Sequence, residues 1–125
     1  MATCSTVKIA IAQTASGADK QHNIARAVAL VNDAADMGAT IVALPETFDF
    51  RGDAARLGEV AEPLPGSAIS PLMGIARNRG IWILAGSVHE KHPNGSHPYN
   101  TSVLIDPTGR MATAYRKIHL FDITI

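Results

Sequence analysis

The sequence predicts an α/β fold built on a mixed β-sheet, with helices on one face. Three observations carry that expectation. Continuous apolar runs at 40–44 and 81–88 are strand-sized and suit strands buried within a sheet. Ahead of each run, apolar residues recur every three or four positions, the period of an amphipathic helix. Beyond residue 91, turn formers crowd together and two strand-like segments follow at hairpin spacing, which makes the last strands antiparallel neighbours.

The first strand is read over 7–13, where Val7-Lys8-Ile9-Ala10-Ile11-Ala12-Gln13 alternates apolar and mixed side chains. Residues 14–19 are small and polar and form a loop. From Lys20 the period changes. Ile24, Val28, Val31 and Ala35 share one helical face, Arg26, Asn32 and Asp33 lie elsewhere on the wheel, and Gly38 stops the helix. Thr40-Ile41-Val42-Ala43-Leu44 is the second strand. Pro45 ends it, because proline brings no backbone donor to a ladder. Strand, helix and strand in this order make a right-handed crossover.

Residues 49–66 mix glycine, proline and charge, with one helical turn expected near 54–57. A second helix is read over 67–79, with Ile69, Leu72, Ile75 and Ala76 on one face and Gly80 closing it. The third strand occupies 81–88. His92-Pro93-Asn94-Gly95-Ser96 is a turn. Strands at 99–105 and 111–116 are joined through Asp106-Pro107-Thr108-Gly109. Two substantial helices cover only one sheet face. The strands are apolar on both sides, so the second face calls for a partner layer from downstream sequence or from a second chain.

Composition removes several function classes. Eleven basic residues balance eleven acidic ones without a basic stretch, so there is no electrostatic case for nucleic acid or an anionic membrane. The apolar runs are far shorter than a membrane span. The lone cysteine, Cys4, cannot close an internal disulfide, and residues 1–8 lack the pattern of a signal peptide. A cytoplasmic protein of one domain, or part of one, is expected.

Glu46 is the first candidate for chemistry. It follows a buried strand in Leu44-Pro45-Glu46-Thr47-Phe48, at the strand end where open α/β sheets bind ligands. An apolar setting there would raise its pKa toward general-base work near neutrality. Lys117 is the second candidate, in Tyr115-Arg116-Lys117-Ile118-His119-Leu120-Phe121, where a buried ammonium can stabilise an oxyanion. His89-Glu90, His92 and His97 lie in a turn-rich stretch with no supporting cysteine pair, so we read solvent-facing loop histidines and no metal site. Cys4 sits at a terminus without a preorganised base beside it and is not read as a nucleophile. Residues 14–20 hold one glycine, which is neither a dinucleotide fingerprint nor a phosphate loop and argues against a flavodoxin-like binding domain.

Taken in order, these segments resemble the nitrilase, or carbon–nitrogen hydrolase, superfamily. The resemblance runs through Ala12-Gln13, Leu44-Pro45-Glu46, Pro65-Gly66, Gly80, Ala85-Gly86-Ser87, Tyr99-Asn100-Thr101, Gly109 and Tyr115-Arg116-Lys117-Ile118-His119-Leu120. Glu46-Thr47-Phe48-Asp49-Phe50, Glu62-Pro63-Leu64 and His89-Glu90 look most like its Nit subgroup, which acts on ω-amides of dicarboxylic keto acids and on deaminated glutathione.

The resemblance implies the N-terminal half of an αββα sandwich and a Cys-Glu-Lys site for amide hydrolysis through a thioester. Glu46 would be the general base and Lys117 the oxyanion stabiliser. No cofactor or metal is implied. The implied partners are a small-molecule amide, or an ω-amide of a carboxylic acid, and further copies of the chain in a homo-oligomer. In the family the nucleophilic cysteine follows the lysine at a distance, whereas this sequence ends at Ile125. Residues 1–125 are therefore expected to be a partial carbon–nitrogen hydrolase domain, inert alone. The alternative is a non-catalytic α/β binding or assembly module. The two part on whether the reading frame continues to a cysteine at a strand-to-helix turn.

Overall fold

The computed structural model describes residues 5–120; Cys4 and the closing Phe121-Asp122-Ile123-Thr124-Ile125 run lie outside the described residues. In chain order the elements are β1 (Ile9–Ile11), α1 (Lys20–Asp36), β2 (Ile41–Leu44), a 3-10 turn (Ala54–Arg56), α2 (Leu57–Val60), α3 (Gly66–Arg79), β3 (Trp82–Glu90), β4 (Tyr99–Ile105) and β5 (Met111–Arg116). The strands form one sheet in the order β1-β2-β3-β4-β5.

The connections decide the strand directions. Helices α1 and α3 carry the chain back across the sheet, so β1, β2 and β3 are parallel. Short turns join the rest, so β3–β4 and β4–β5 are antiparallel. The β4–β5 turn is built by Asp106. Its Oδ1 accepts from Thr108 N at 2.8 Å, Thr108 Oγ1 at 2.6 Å and Arg110 N at 3.1 Å. Gly109 takes the left-handed conformation that the turn requires, at φ 82°.

Helix α1 starts at Asp19, whose carboxylate accepts from His22 N at 3.0 Å. Its buried positions are Asn23, Ala27, Val31 and Ala34. The sequence reading placed the face on Ile24, Val28, Val31 and Ala35; the true face is turned toward the small residues. Alanines let the helix lie close to the sheet, and the larger Ile24 and Val28 pack at the flank. Asn23 is buried because it ties two loops together, with Nδ2 donating to the carbonyls of Gly17 at 2.8 Å and Asp49 at 3.0 Å. Helix α3 buries Ala68, Ile69, Leu72 and Ala76 and ends at Gly80, whose φ is 64°.

Between these helices and the sheet lies the core: Val31, Ile69 and Leu72 against Val42, Ile83, Val103 and Ile105, all fully buried. Each such side chain contributes roughly 1.5–3 kcal/mol by leaving water. Among the described residues nothing covers the opposite sheet face. Ile9 is 61% exposed and Ile11 85%, with Trp82 at 38% and Leu84 at 40%. Alternation along the strands thus puts one apolar set in the core and a second on the open face.

Strands β1 and β3 differ most from expectation. Strand β1 spans Ile9–Ile11 and not 7–13. Strand β3 runs through to Glu90, beyond the expected 88, because His89 pairs with Asn100 and Glu90 with Tyr99 in β4. On its other side, Glu62 lies alongside, donating from its N to the His89 carbonyl at 3.2 Å and accepting from Lys91 N at 2.9 Å.

Candidate active site

The loop after β2 is fastened to an irregularity in β3. Pairing with β4 shifts register between Ala85 and Val88. There Ser87 donates from its N to the Pro45 carbonyl at 3.3 Å, and its carbonyl accepts from Phe48 N at 3.2 Å. The Ser87 hydroxyl accepts from Thr47 N at 2.8 Å. Thr47 has a φ of 49°, an uncommon conformation for a β-branched residue and a mark of a constrained site. These contacts fix the backbone on both sides of Glu46.

Lys117 arrives from the end of β5. Its backbone N donates to the Asn100 carbonyl at 2.8 Å, continuing the β4–β5 ladder by one residue. The neighbouring Arg116 turns the other way and binds Glu90, Nε at 2.9 Å and Nη2 at 2.6 Å; Thr101 Oγ1 donates to the same carboxylate at 2.6 Å. With Arg116 anchored there, Lys117 projects toward the β2 loop. Its Nζ reaches Glu46 Oε1 at 2.8 Å, and Asn100 Nδ2 donates to that oxygen, also at 2.8 Å.

The carboxyl of Glu46 is held below its ordinary range, first by the hydrogen bond from Lys117 and next by that from Asn100, with the Lys117 and Arg51 charges adding to them. The expectation of a raised pKa in an apolar setting is overturned. The Glu46 side chain is 50% exposed and that of Lys117 41%, so neither is buried and the local donors outweigh desolvation.

Both side chains face an open cleft of about 530 Å³, a volume suited to a small molecule. Thr47, Arg51, His89, His97 and Asn100 add polar lining, and Phe50 and Leu57 supply apolar wall.

His89 corrects a second expectation. It is not a solvent-facing loop residue but part of β3, with its side chain only 12% exposed. Asp49, fully buried, meets the His89 ring at Nδ1, 3.0 Å from Oδ1, and accepts the His89 backbone N–H at 3.1 Å through Oδ2. Phe50 packs edge-on against the ring. The other histidines behave differently. His92 caps its own turn through Asn94 N at 3.1 Å, and His97 lines the cleft. Among the described residues no cluster of His, Cys, Asp and Glu could hold a metal ion.

The structure therefore brings Glu46 and Lys117 into contact. It adds Asn100, Arg51, Thr47, Ser87 and the Asp49–His89 pair, to which sequence reasoning assigned no role. Asn100 and Ser87 had appeared only as parts of the family pattern, and no local signal marked Asp49 as the partner of a residue 40 positions away.

The family described as carbon-nitrogen hydrolase matches residues 8–125. The chain is 36% identical over 121 residues to omega-amidase NIT2 of Mus musculus, covering 97% of this chain and 43% of that protein. It is also 36% identical over 126 residues to deaminated glutathione amidase of Homo sapiens, covering 98% and 38%. The crystal structure of the C. elegans NitFhit protein matches with a TM-score of 0.83 and 30% identity over 96% of this chain and 31% of that one. The NitN amidase from Neterenkonia sp. AN1 matches with a TM-score of 0.72 and 26% identity, over 94% and 46%. The chain thus spans about two fifths of the length of these two curated relatives. A mixed sheet with helices on one face, a sequence pattern matched from residue 8 onward and amidases among the relatives lead to one conclusion: the chain belongs to the carbon–nitrogen hydrolase family.

Proposed function

We propose that this chain contributes two of the three chemical groups of an amidase acting on small-molecule amides. Glu46 serves as general base and Lys117 stabilises the oxyanion. The observation that carries the reading is the 2.8 Å contact between Glu46 Oε1 and Lys117 Nζ at the mouth of a cleft beyond the ends of parallel strands.

A cysteine other than Cys4 supplies the nucleophile. Glu46, ionised at neutral pH and kept so to lower pH by its two donors, takes the thiol proton. The thiolate adds to the amide carbon, and the negative charge passes to the carbonyl oxygen, where the Lys117 ammonium stabilises it. Glu46 returns the proton to the leaving nitrogen, ammonia departs and a thioester remains. Water then attacks with Glu46 again accepting a proton. The carboxylic acid leaves and the thiol is restored. None of these steps calls for a cofactor. By analogy with the omega-amidase and deaminated glutathione amidase relatives, the substrate is an amide whose acid portion bears a carboxylate. A cytoplasmic homo-oligomer is the setting we assign to the whole protein.

Ammonia release from succinamate by the whole protein is the direct test. Glu46→Gln is expected to lower kcat at least about a hundredfold, the usual share of a general base, with the fold retained by circular dichroism. Undiminished turnover by that variant would overturn the reading.

A further inference from the structure

We infer that Arg51 is the specificity-determining residue that holds the carboxylate at the far end of the amide substrate. This rests on the amidase reading above and deepens it.

Charge balance within the cleft is the first observation. Lys117 is paired with Glu46 and His89 with Asp49, each at hydrogen-bond distance. Arg51 lines the same cleft and, among the described residues, has no carboxylate in ion-pair contact. With Lys117 matched by Glu46, the Arg51 guanidinium is a cleft-lining cation without an acidic partner among the described residues. It lies near enough to Glu46 for its field to help lower the carboxyl's pKa. An anionic substrate tail is therefore drawn to the side of the cleft that carries Arg51.

Placement is the second observation. The Arg51 backbone N donates to the Gly17 carbonyl at 3.0 Å, which ties its loop to the segment ahead of α1. Its Nε donates to Thr47 Oγ1 at 3.1 Å. Thr47 is itself held by Ser87 in its positive-φ conformation. That chain of contacts spends Nε on Thr47. The two terminal nitrogens, which make no hydrogen bond among the described residues, remain to form a forked pair with a carboxylate. The next residue, Gly52, allows Phe50 and Ala18 to close in, since a Cβ there would meet the Phe50 ring at 2.7 Å. Arg51 is exposed, and it stands on a loop fixed at its own backbone, three residues from a positioned Thr47–Phe48 corner.

Succinamate and butanamide differ only in whether a carboxylate or a methyl group ends the chain, so they isolate this contact. In the whole protein, Arg51→Met is expected to raise KM for succinamate at least about tenfold more than for butanamide, with kcat for succinamate changed far less. Arg51→Lys keeps the charge without the fork and should recover part of the preference; it also serves where Arg51→Met fails to fold. Equal losses on both amides in either variant would overturn the assignment of Arg51 and leave the amidase reading standing. Failure of the wild-type protein to hydrolyse either amide would overturn both.

Discussion

Gly86 passes so close to Pro45 that a Cβ on it would stand 1.9 Å from the Pro45 carbonyl oxygen and 2.4 Å from that of Leu44. The residue that permits this approach lies in β3, and the residue it touches is the one before Glu46. Only a residue without a side chain lets β3 run against the end of β2 here. Gly86→Ala should therefore force the two backbones apart, at a cost of more than about 2 kcal/mol. Urea denaturation of the variant against wild type measures the loss. In the whole protein, amidase activity should fall with it, because the displaced loop carries Glu46.

The charge state of Glu46 gives a pH prediction. Its carboxyl titrates below the ordinary range because of Lys117 first and Asn100 next. In the proposed mechanism the ionised form is the competent base, so activity should be present above that lowered value and lost as pH falls through it. The acid limb of kcat/KM should thus lie below pH 4.5, the unperturbed value for a glutamate. Asn100→Ala removes one donor and should move the limb upward. A limb that stays in place in a profile of residual activity would show that Asn100 does not tune this carboxylate.

Asp49 is fully buried and satisfies both the ring and the backbone N–H of His89. Asp49→Ala removes the partner of the His89 ring and backbone N–H at a fully buried position, at a cost of about 1–3 kcal/mol. Thermal unfolding should report the loss. Asp49→Asn keeps one acceptor oxygen and should lose less.

The uncovered face of the sheet makes a prediction about association. Ile9, Ile11, Trp82 and Leu84 present apolar surface there with no layer above them among the described residues. Production of the 125-residue chain alone should give species larger than its 13.2 kDa mass in size-exclusion chromatography. Ile11→Lys with Leu84→Lys, both on that face and outside the core, should reduce the association. A monomer at high concentration for the unaltered chain would count against it.

The order of elements, the change from parallel to antiparallel pairing and the open sheet face were all determined by the sequence. Each follows from local rules: apolar period, turn formers, and the connection length between strands. Glu46 could be placed beyond a strand end because Pro45 marks that end. The sequence also carried the family pattern on which Lys117 was chosen. Only the tertiary structure decided that the ammonium of Lys117 meets Glu46 across 71 positions, with Asn100 as a second donor that lowers the pKa. Likewise, it alone moved His89 from an expected loop to a strand beside buried Asp49, and turned α1 toward its alanines. Contacts between distant segments depend on register and on which helix face fits the sheet. No short stretch of sequence records either, because both are set by packing the whole layer at once.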